Sequence, residues 1–561
     1  MPSLLQRITT KRNFLTAMQR IRSRRVTLRP PKVTRSATVF LLVALFLFVL
    51  ARFWQLTTYP LNFDEIFSVH VARQNWRGLI EFVRQDLVHP PLFYALLKVW
   101  VGIGGESFLW LRLFGTLIAV ISIFPLLKIC RGLGLDALER NLALLLIAVN
   151  GFLIYFSRFL RMYGLLLFLG LCSVWFFVRL FKSKVVPRVL LLAVFGTNLL
   201  LVYTHYFGWF LIAAEFLCLF RGDAASHCVC SYSEVAVGTK FKAWSRSRSK
   251  KLLYFLICTI AIAICFSPWV YIVAPVYADR GLYDNLSWMD PPHRGSLIDF
   301  YADLNGPFVD FPWSRRLGVL VFGLPIILWT WRAFLNRRSK NRRVNDTGWL
   351  LVLLAFVPVA LVYVSRFWLP RALIFAGVPY LILVAVAMAR FRPHWVSMAM
   401  QSLILALAML AGFEYLRGGF RSFSCSPCPG PLHSGITMES WVQQMIQSES
   451  NTDTHVTVYA LDSQTAYITW FYLSSKNESK FQVVVVGPIG HNWLANQMFR
   501  AAEVSNLTAL EGNHFWLVFN DDLWKQRSTP QQIFKDAGYR VGEGFEGGQK
   551  DRRTHLFPVW R

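Results

Sequence analysis

Residues 36–67 read SATVFLLVALFLFVLARFWQLTTYPLNFDEIF. Thr38–Phe53 is an apolar run broken only by Arg52, and such a run reads as a helix crossing a membrane. Two adjacent carboxylates, Asp64 and Glu65, follow it. Before it, residues 1–36 carry ten Lys/Arg and no acid. That tail is too long and too basic for a cleaved signal peptide. It is expected in the cytoplasm, with the carboxylates just beyond the far end of span one.

The pattern repeats down the chain. Further apolar runs are Phe108–Leu127, Ala143–Phe156, Gly164–Leu180, Val189–Tyr203, Phe207–Phe220, Leu252–Val273, Leu317–Trp331, Trp349–Val364, Ala372–Ala389 and Trp395–Gly412. Leu92–Val101 is shorter and is expected only to dip into the outer leaflet. With it left out, Lys182–Arg188, Arg221–Lys251, Arg332–Asp346 and Arg390–Arg392 all face the cytoplasm, as the positive-inside rule prefers. Counting it as a span would put every one of these basic loops outside. The preferred reading is therefore eleven spans and an external C-terminus.

Composition agrees. The 561 residues are 55% hydrophobic, with a mean hydropathy of +0.41, too apolar for a soluble chain of this size. The net charge of +28 raises the question of nucleic acid. Residues 414–561, however, hold 13 Lys/Arg against 14 Asp/Glu. The excess sits between apolar runs, and no basic face on a folded domain is visible. Most cysteines lie singly in apolar runs. A CSPC turn at Cys425 and Cys428 would allow a local disulfide if outside. The Cys228/Cys230 pair reads as an accident of a loop.

Residues 414–561 change character. His455–Leu461, Phe481–Val486 and His514–Phe519 are short strand-like runs, while Ser440–Ser448, Trp493–Ala502 and Pro530–Ala537 look helical. The alternation predicts a small α/β domain. Between Asp64 and Asp86 the apolar positions Ile66, Val69, Trp76, Leu79, Ile80 and Val83 can share one helical face, which suits a helix lying in the interface.

The candidate chemistry gathers on one side. Asp64 and Glu65 could act as a general base, a metal ligand or both, or simply favour a helix N-terminus. His89, before Pro90-Pro91, opens a rigid turn and could face the same cavity. Arg158, Arg161 and Tyr163 follow span three, His205 lies between spans five and six, and Arg366 and Arg371 flank the end of span nine. Arginine there can clamp a phosphate or snorkel to headgroups. Basic residues on the outer side run against the positive-inside bias, and so ask for a reason.

These residues in this order resemble the GT-C class of membrane glycosyltransferases, with most likeness to protein mannosyltransferases and lipid A aminoarabinose transferases. The carriers are LNFDEIF, VHPPLFY, GGESFLWLR ending at Arg112, SRFLRMYGLL and YTHYFG, within residues 37–390. The resemblance implies a mainly α membrane protein. It would be a GT-C bundle of about eleven helices over 37–413, with residues 414–561 as an α/β domain outside the cytoplasm and 1–36 as the tail. It implies transfer of a sugar from a polyprenyl-phosphate donor to a glycan, lipid or protein acceptor, at a bacterial inner membrane. Asp64 would activate the acceptor, assisted by Glu65 through orientation or a divalent cation, and Arg161 and Arg371 would hold the donor phosphate. No other cofactor and no nucleic acid is implied. The rival class is a transporter or lipid-linked glycan flippase, which intramembrane charges and inverted repeats would mark. Glu215 is an intramembrane charge, and no repeat is visible.

Overall fold

The computed structural model describes residues 35–57, 61–183, 185–221, 234–280, 291–306, 312–335, 343–416, 433–451, 455–476, 478–486, 500–502, 507–521, 528–549 and 552–561. The CSPC turn and the Cys228/Cys230 pair lie outside them.

The helices in chain order are α1 Arg35–Phe53, α2 Phe63–Arg73, α3 Trp76–Asp86, α4 Leu92–Gly104, α5 Phe108–Ile121, α6 Ile123–Leu133, α7 Ala137–Val149, α8 Gly151–Arg158, α9 Tyr163–Lys182, α10 Arg188–Thr204 and α11 Gly208–Arg221. They continue as α12 Glu234–Arg280, α13 Ser296–Asn305, α14 Pro312–Leu335, α15 Arg343–Ser365, α16 Ile374–Ala389 and α17 His394–Leu416. Every expected apolar run is helical, though Phe108–Leu127 is divided between α5 and α6 and Ala143–Phe156 between α7 and α8. Among the described residues, seven helical segments are long and apolar enough to cross a membrane, and the bent pair α7–α8 makes an eighth. α10 and α11 are apolar but shorter, and Leu317–Trp331 lies within α14. By length and apolarity the count is thus seven or eight, below the eleven expected.

α16 is the axis of the bundle. It is apolar on every side, and every residue from Ile374 to Met388 is buried, as a helix without a polar stripe must be. α7, α9, α14 and α15 surround it. A 3-10 turn, Pro370–Leu373, leads into it and carries Arg371. Three helices are also tied by polar groups: Ser173 Oγ on α9 lies 2.6 Å from Asn198 Oδ1 on α10 and 2.8 Å from Glu215 Oε1 on α11. Hydrogen bonds of this kind hold helices together where lipid gives apolar side chains no preference for one another.

The α7–α8 bend of 59° has a local cause. Asn150 is extended, caps α8 by accepting from Leu153 N, and donates to Leu304 O at 2.6 Å. The turn after α8 then lies flush on α5. A Cβ on Gly115 would sit 3.1 Å from Ser157 O, and one on Gly164 3.2 Å from Gly115 O. Larger residues would push that turn, and Arg161 with it, off α5.

The stretch expected as one interfacial helix is two, α2 and α3. Gln74 is extended, and Asn75 starts a new helix by capping Gly78 N. Ile66, Val69, Leu79 and Val83 are buried as their period demands, but Trp76 is 57% exposed. A periodicity count alone does not see the cap that resets the register.

The C-terminal part contains α18 His433–Ser448, β1 Val456–Ala460, α19 Ser463–Ser475, β2 Phe481–Val486, β3 Arg500–Ala502, β4 His514–Asn520, α20 Pro530–Asp536, β5 Arg540–Val541, β6 Phe545–Gln549 and β7 Arg552–Trp560. Strand order is β3-β2-β1-β4-β7-β5, with β6 also on β7. β1 to β4 are parallel and β7 is antiparallel to β4. Phe515, Leu517, Phe519 and Val559 are among its fully enclosed core. The helix expected at Trp493–Ala502 is corrected at its end. Arg500–Ala502 is an edge strand, with Ala501 opposite Val485, because pairing with β2 satisfies its backbone. Residues 487–499 lie outside the described residues.

Candidate active site

α2 carries the paired acids on its first turn, and its own cap divides their roles. Asn62 Oδ1 accepts from Glu65 N, while Glu65 Oε2 accepts from Asn62 N, each at 3.1 Å. This capping box turns Glu65 inward, where it is 0% exposed. Arg112 of α5 grips both its oxygens in a fork, with Nη2 donating to Oε2 at 3.1 Å and Nη1 to Oε1. Leu160 N adds a further bond, to Oε1, at 2.8 Å. Glu65 therefore joins α2, α5 and the turn after α8.

Asp64, one residue earlier, points elsewhere. Its side chain remains 23% exposed, and its Oδ2 lies 3.7 Å from Arg371 Nη2. Arg161 holds the helix from below: its Nη1 donates to Asp64 O at 3.2 Å and to Tyr94 Oη at 3.1 Å. Arg371 also sits 5.8 Å from the Tyr163 ring centre. Burial works to raise the Asp64 carboxyl, but Arg161 and Arg371 outweigh it and hold the group below its ordinary value. Asp64 is therefore ionised at neutral pH.

His89 and His205 complete the cluster, their ring centres 5.4 Å apart. His89 Nδ1 lies 3.1 Å from Asp86 Oδ2 and 3.4 Å from Arg161 Nη2. His205 Nδ1 accepts from Phe207 N at 3.1 Å. The Nε2 atoms of both rings are buried with no hydrogen-bond partner among the described residues. Burial, the larger cause, with Arg161 as a further one, holds both imidazoles well below their usual range, so they are neutral.

Of the sequence candidates, Asp64, His89, Arg161, Tyr163, His205 and Arg371 thus come together. Arg158 does not join them, since its Nη2 donates to Gln55 O at 2.9 Å. Arg366 is exposed, with a left-handed φ of 64°. Two further participants escaped the sequence reading. Arg112 was visible only as the end of a motif. Asp86 sits three residues before His89, a spacing at which side chains on a turn meet. A divalent cation finds little purchase: the Glu65 oxygens are taken, Asp64 faces an arginine, and among the described residues no three His, Cys, Asp or Glu side chains are grouped to hold a metal.

Asp86 differs from Asp64 in its electrostatics. Burial pushes it up to about 7, with Arg161 opposing. A carboxyl raised in the folded state contributes stability below its unfolded value, lost as pH rises through about 7. Asp86→Asn, which has no charge to bury, is expected to stabilise the detergent-solubilised protein at pH 8 but not at pH 4. Unfolding midpoints at the two pH values check this. A larger loss at pH 8 than at pH 4 would make Asp86 an ionised partner of Arg161.

No family model matches the chain, and no curated protein matches it. Solved structures do. The chain is similar to ArnT from Cupriavidus metallidurans bound to undecaprenyl phosphate, at 13% identity over 93% of this chain and 97% of that one, with a TM-score of 0.51. It also matches the oligosaccharyltransferase AglB from Archaeoglobus fulgidus, in complex with an inhibitory peptide and a dolichol-phosphate, at 14% identity over 78% and 63% of the two chains, TM-score 0.45. A third match is the S. cerevisiae Pmt1-Pmt2 protein O-mannosyltransferase complex bound to its sugar donor, at 16% identity over 48% and 37%, TM-score 0.32. At such identities the likeness is one of fold. The chain is an integral membrane protein with the fold of the GT-C glycosyltransferases.

Proposed function

We propose that this protein is a glycosyltransferase that moves a sugar from a polyprenyl-phosphate donor to an acceptor hydroxyl or amine, with Asp64 as general base. One observation carries the reading: an ionised, partly open carboxylate stands beside a buried arginine, Asp64 Oδ2 3.7 Å from Arg371 Nη2. That is the pairing such a reaction needs. Asp64 takes the acceptor proton as the acceptor oxygen or nitrogen bonds to the anomeric carbon. The anomeric C–O bond breaks, and its electron pair leaves on the lipid phosphate. A glycosyl phosphate already has a good leaving group, so a base and fixed cations suffice. Arg371 and Arg161 supply the positive charge. Glu65 acts as an anchor, since its oxygens are engaged by Arg112 and Leu160.

The arginine roles are testable on donor binding alone. Arg371→Ala and Arg161→Ala should each lose a charge-assisted hydrogen bond of about 1.5–3 kcal/mol, roughly tenfold to a hundredfold in donor affinity. Lys should rescue only in part, lacking the fork. The exposed Arg188→Ala should bind as the wild type does. Unchanged affinity in both site variants would remove them from the phosphate site.

The same reading keeps the eleven-span topology, with α10, α11 and α14 also crossing and the active side outside the cytoplasm. The basic loops support that orientation. A reporter fused after Gly412 should be active only on the external side, and cytoplasmic activity would overturn the count.

A further inference from the structure

The helix that presents Asp64 is held at several places: Arg161 donates to Asp64 O, and at the far end Arg73 donates to Glu106 and Lys98 to Ala72 O. Near its start, Glu65 is locked to Arg112. It also packs against α19 of the C-terminal α/β part. Tyr467 is the centre of this contact. Its ring meets Phe63 edge-on at 5.4 Å between centres, and its Oη shares a hydrogen bond of 2.7 Å with His70 Nδ1. One turn on, Trp470 lies 5.2 Å from the His70 ring, and Arg73 sits 4.7 Å from the centre of the Phe471 ring. Tyr467, Trp470 and Phe471 are at i, i+3 and i+4, one face of α19. Phe63, His70 and Arg73 are at i, i+7 and i+10, one face of α2. The two faces run along each other for two turns and more of α2.

The chemistry of the contact is that of a fixed joint. Tyr467 is fully buried. Burial also lowers His70 to about 4, so its ring is neutral and suited to a neutral hydrogen bond. A solvent-facing surface between two independent parts would carry charge and water instead. Here an aromatic stack and one buried polar bond take that place, and they lie on the helix whose first turn bears Asp64.

We propose that the C-terminal α/β part is a clamp on the active site, and that Tyr467 is a positioning residue that fixes α2, and through it Asp64, against Arg371. This rests on the base assignment for its effect on rate, but not for its effect on the helix. A helix pinned at both ends cannot rotate about its axis. Loosened along its α19 face, α2 would let Asp64 shift from Arg371, and a shift of about 1 Å can cost roughly a hundredfold in rate.

The test uses the full-length protein in detergent and two readouts. Amide hydrogen exchange over Phe63–Arg73 reports the clamp without any substrate. Tyr467→Ala should speed it, and Tyr467→Phe, which keeps the ring and loses the hydroxyl, should speed it less, with β1 and β4 protected as before. Transfer rates then report the consequence. Tyr467→Ala should lower kcat about tenfold to a hundredfold with donor affinity unchanged. In an Asp64→Asn background it should lower the residual rate no further, because a positioning residue acts through what it positions. Unchanged exchange in α2 would overturn the clamp. An equal loss of rate in both backgrounds would overturn the positioning role. If the wild type transfers no sugar at all, the function fails while the exchange result still decides the clamp. If Tyr467→Ala does not fold, Tyr467→Phe carries both measurements.

Discussion

Asp64→Asn is expected to cut sugar transfer by about a hundredfold to ten-thousandfold, leaving folding and donor affinity near the wild type. The substitution keeps the shape of the side chain and removes its basicity. Asp64 makes no cap that Asn would spoil, because Asn62 caps the helix and Glu65 closes the box. Its charge is set by Arg161 and Arg371, which outweigh the cost of burial. Asn there also strands two cations, so donor phosphate should bind no worse. Asp64→Glu should keep part of the rate if the longer arm still reaches the acceptor. Rate and donor affinity measured together on purified protein check this. Near wild-type transfer by Asp64→Asn at saturating donor would return Asp64 to a structural role.

Arg112→Ala is expected to be among the most damaging changes away from the reacting groups, at about 3–5 kcal/mol. It leaves Glu65 fully buried with its fork gone and, among the described residues, Asn62 N and Leu160 N to share its charge. Breaking one side of a buried pair costs more than the pair is worth, since the survivor keeps its desolvation penalty. Arg112→Lys should cost less, as it restores charge without the bidentate grip. The double variant Glu65→Gln with Arg112→Met should recover part of the loss, because neither member then carries an uncompensated charge. Unfolding midpoints of the three variants in detergent measure these differences. A mild Arg112→Ala and an equally mild double variant would show that the pair does not anchor α2.

How much of this was legible in the sequence varied by element. The apolar runs were plain, since each is helical and α16, apolar on all sides, proved to be fully buried. Length and apolarity alone mark fewer spans among the described residues, because α10 and α11 are short and α7–α8 is bent at Asn150. Length and hydropathy do not register a cap in mid-run. β1, β2 and β4 were visible from their β-branched and aromatic residues, whereas β3 is an edge strand of three residues, too short to carry a period.

The candidate site was legible as a set of residue types and not as roles. Asp64 and Glu65 look alike in sequence. Only the capping box, which turns one inward and leaves the other out, tells them apart. Arg366 and Arg371 were both candidates by residue type, with the resemblance favouring Arg371, and the 3-10 turn that begins at Pro370 carries Arg371 inward and leaves Arg366 exposed. Asp86 was invisible as chemistry, because its burial depends on α3 folding back beside His89. Tyr467 is nearly four hundred residues from His70 in the chain, a separation no local pattern can bridge.

The central claim is that the bound lipid-linked sugar is cleaved here, not carried across. The direct measurement is single-turnover with purified protein and a panel of radiolabelled polyprenyl-phosphate sugars, following free polyprenyl phosphate and labelled acceptor together. The account predicts that one donor yields both products in equal amounts, at a rate that collapses in Asp64→Asn. Intact donor moving across sealed vesicles, with no cleavage and no dependence on Asp64, would contradict it.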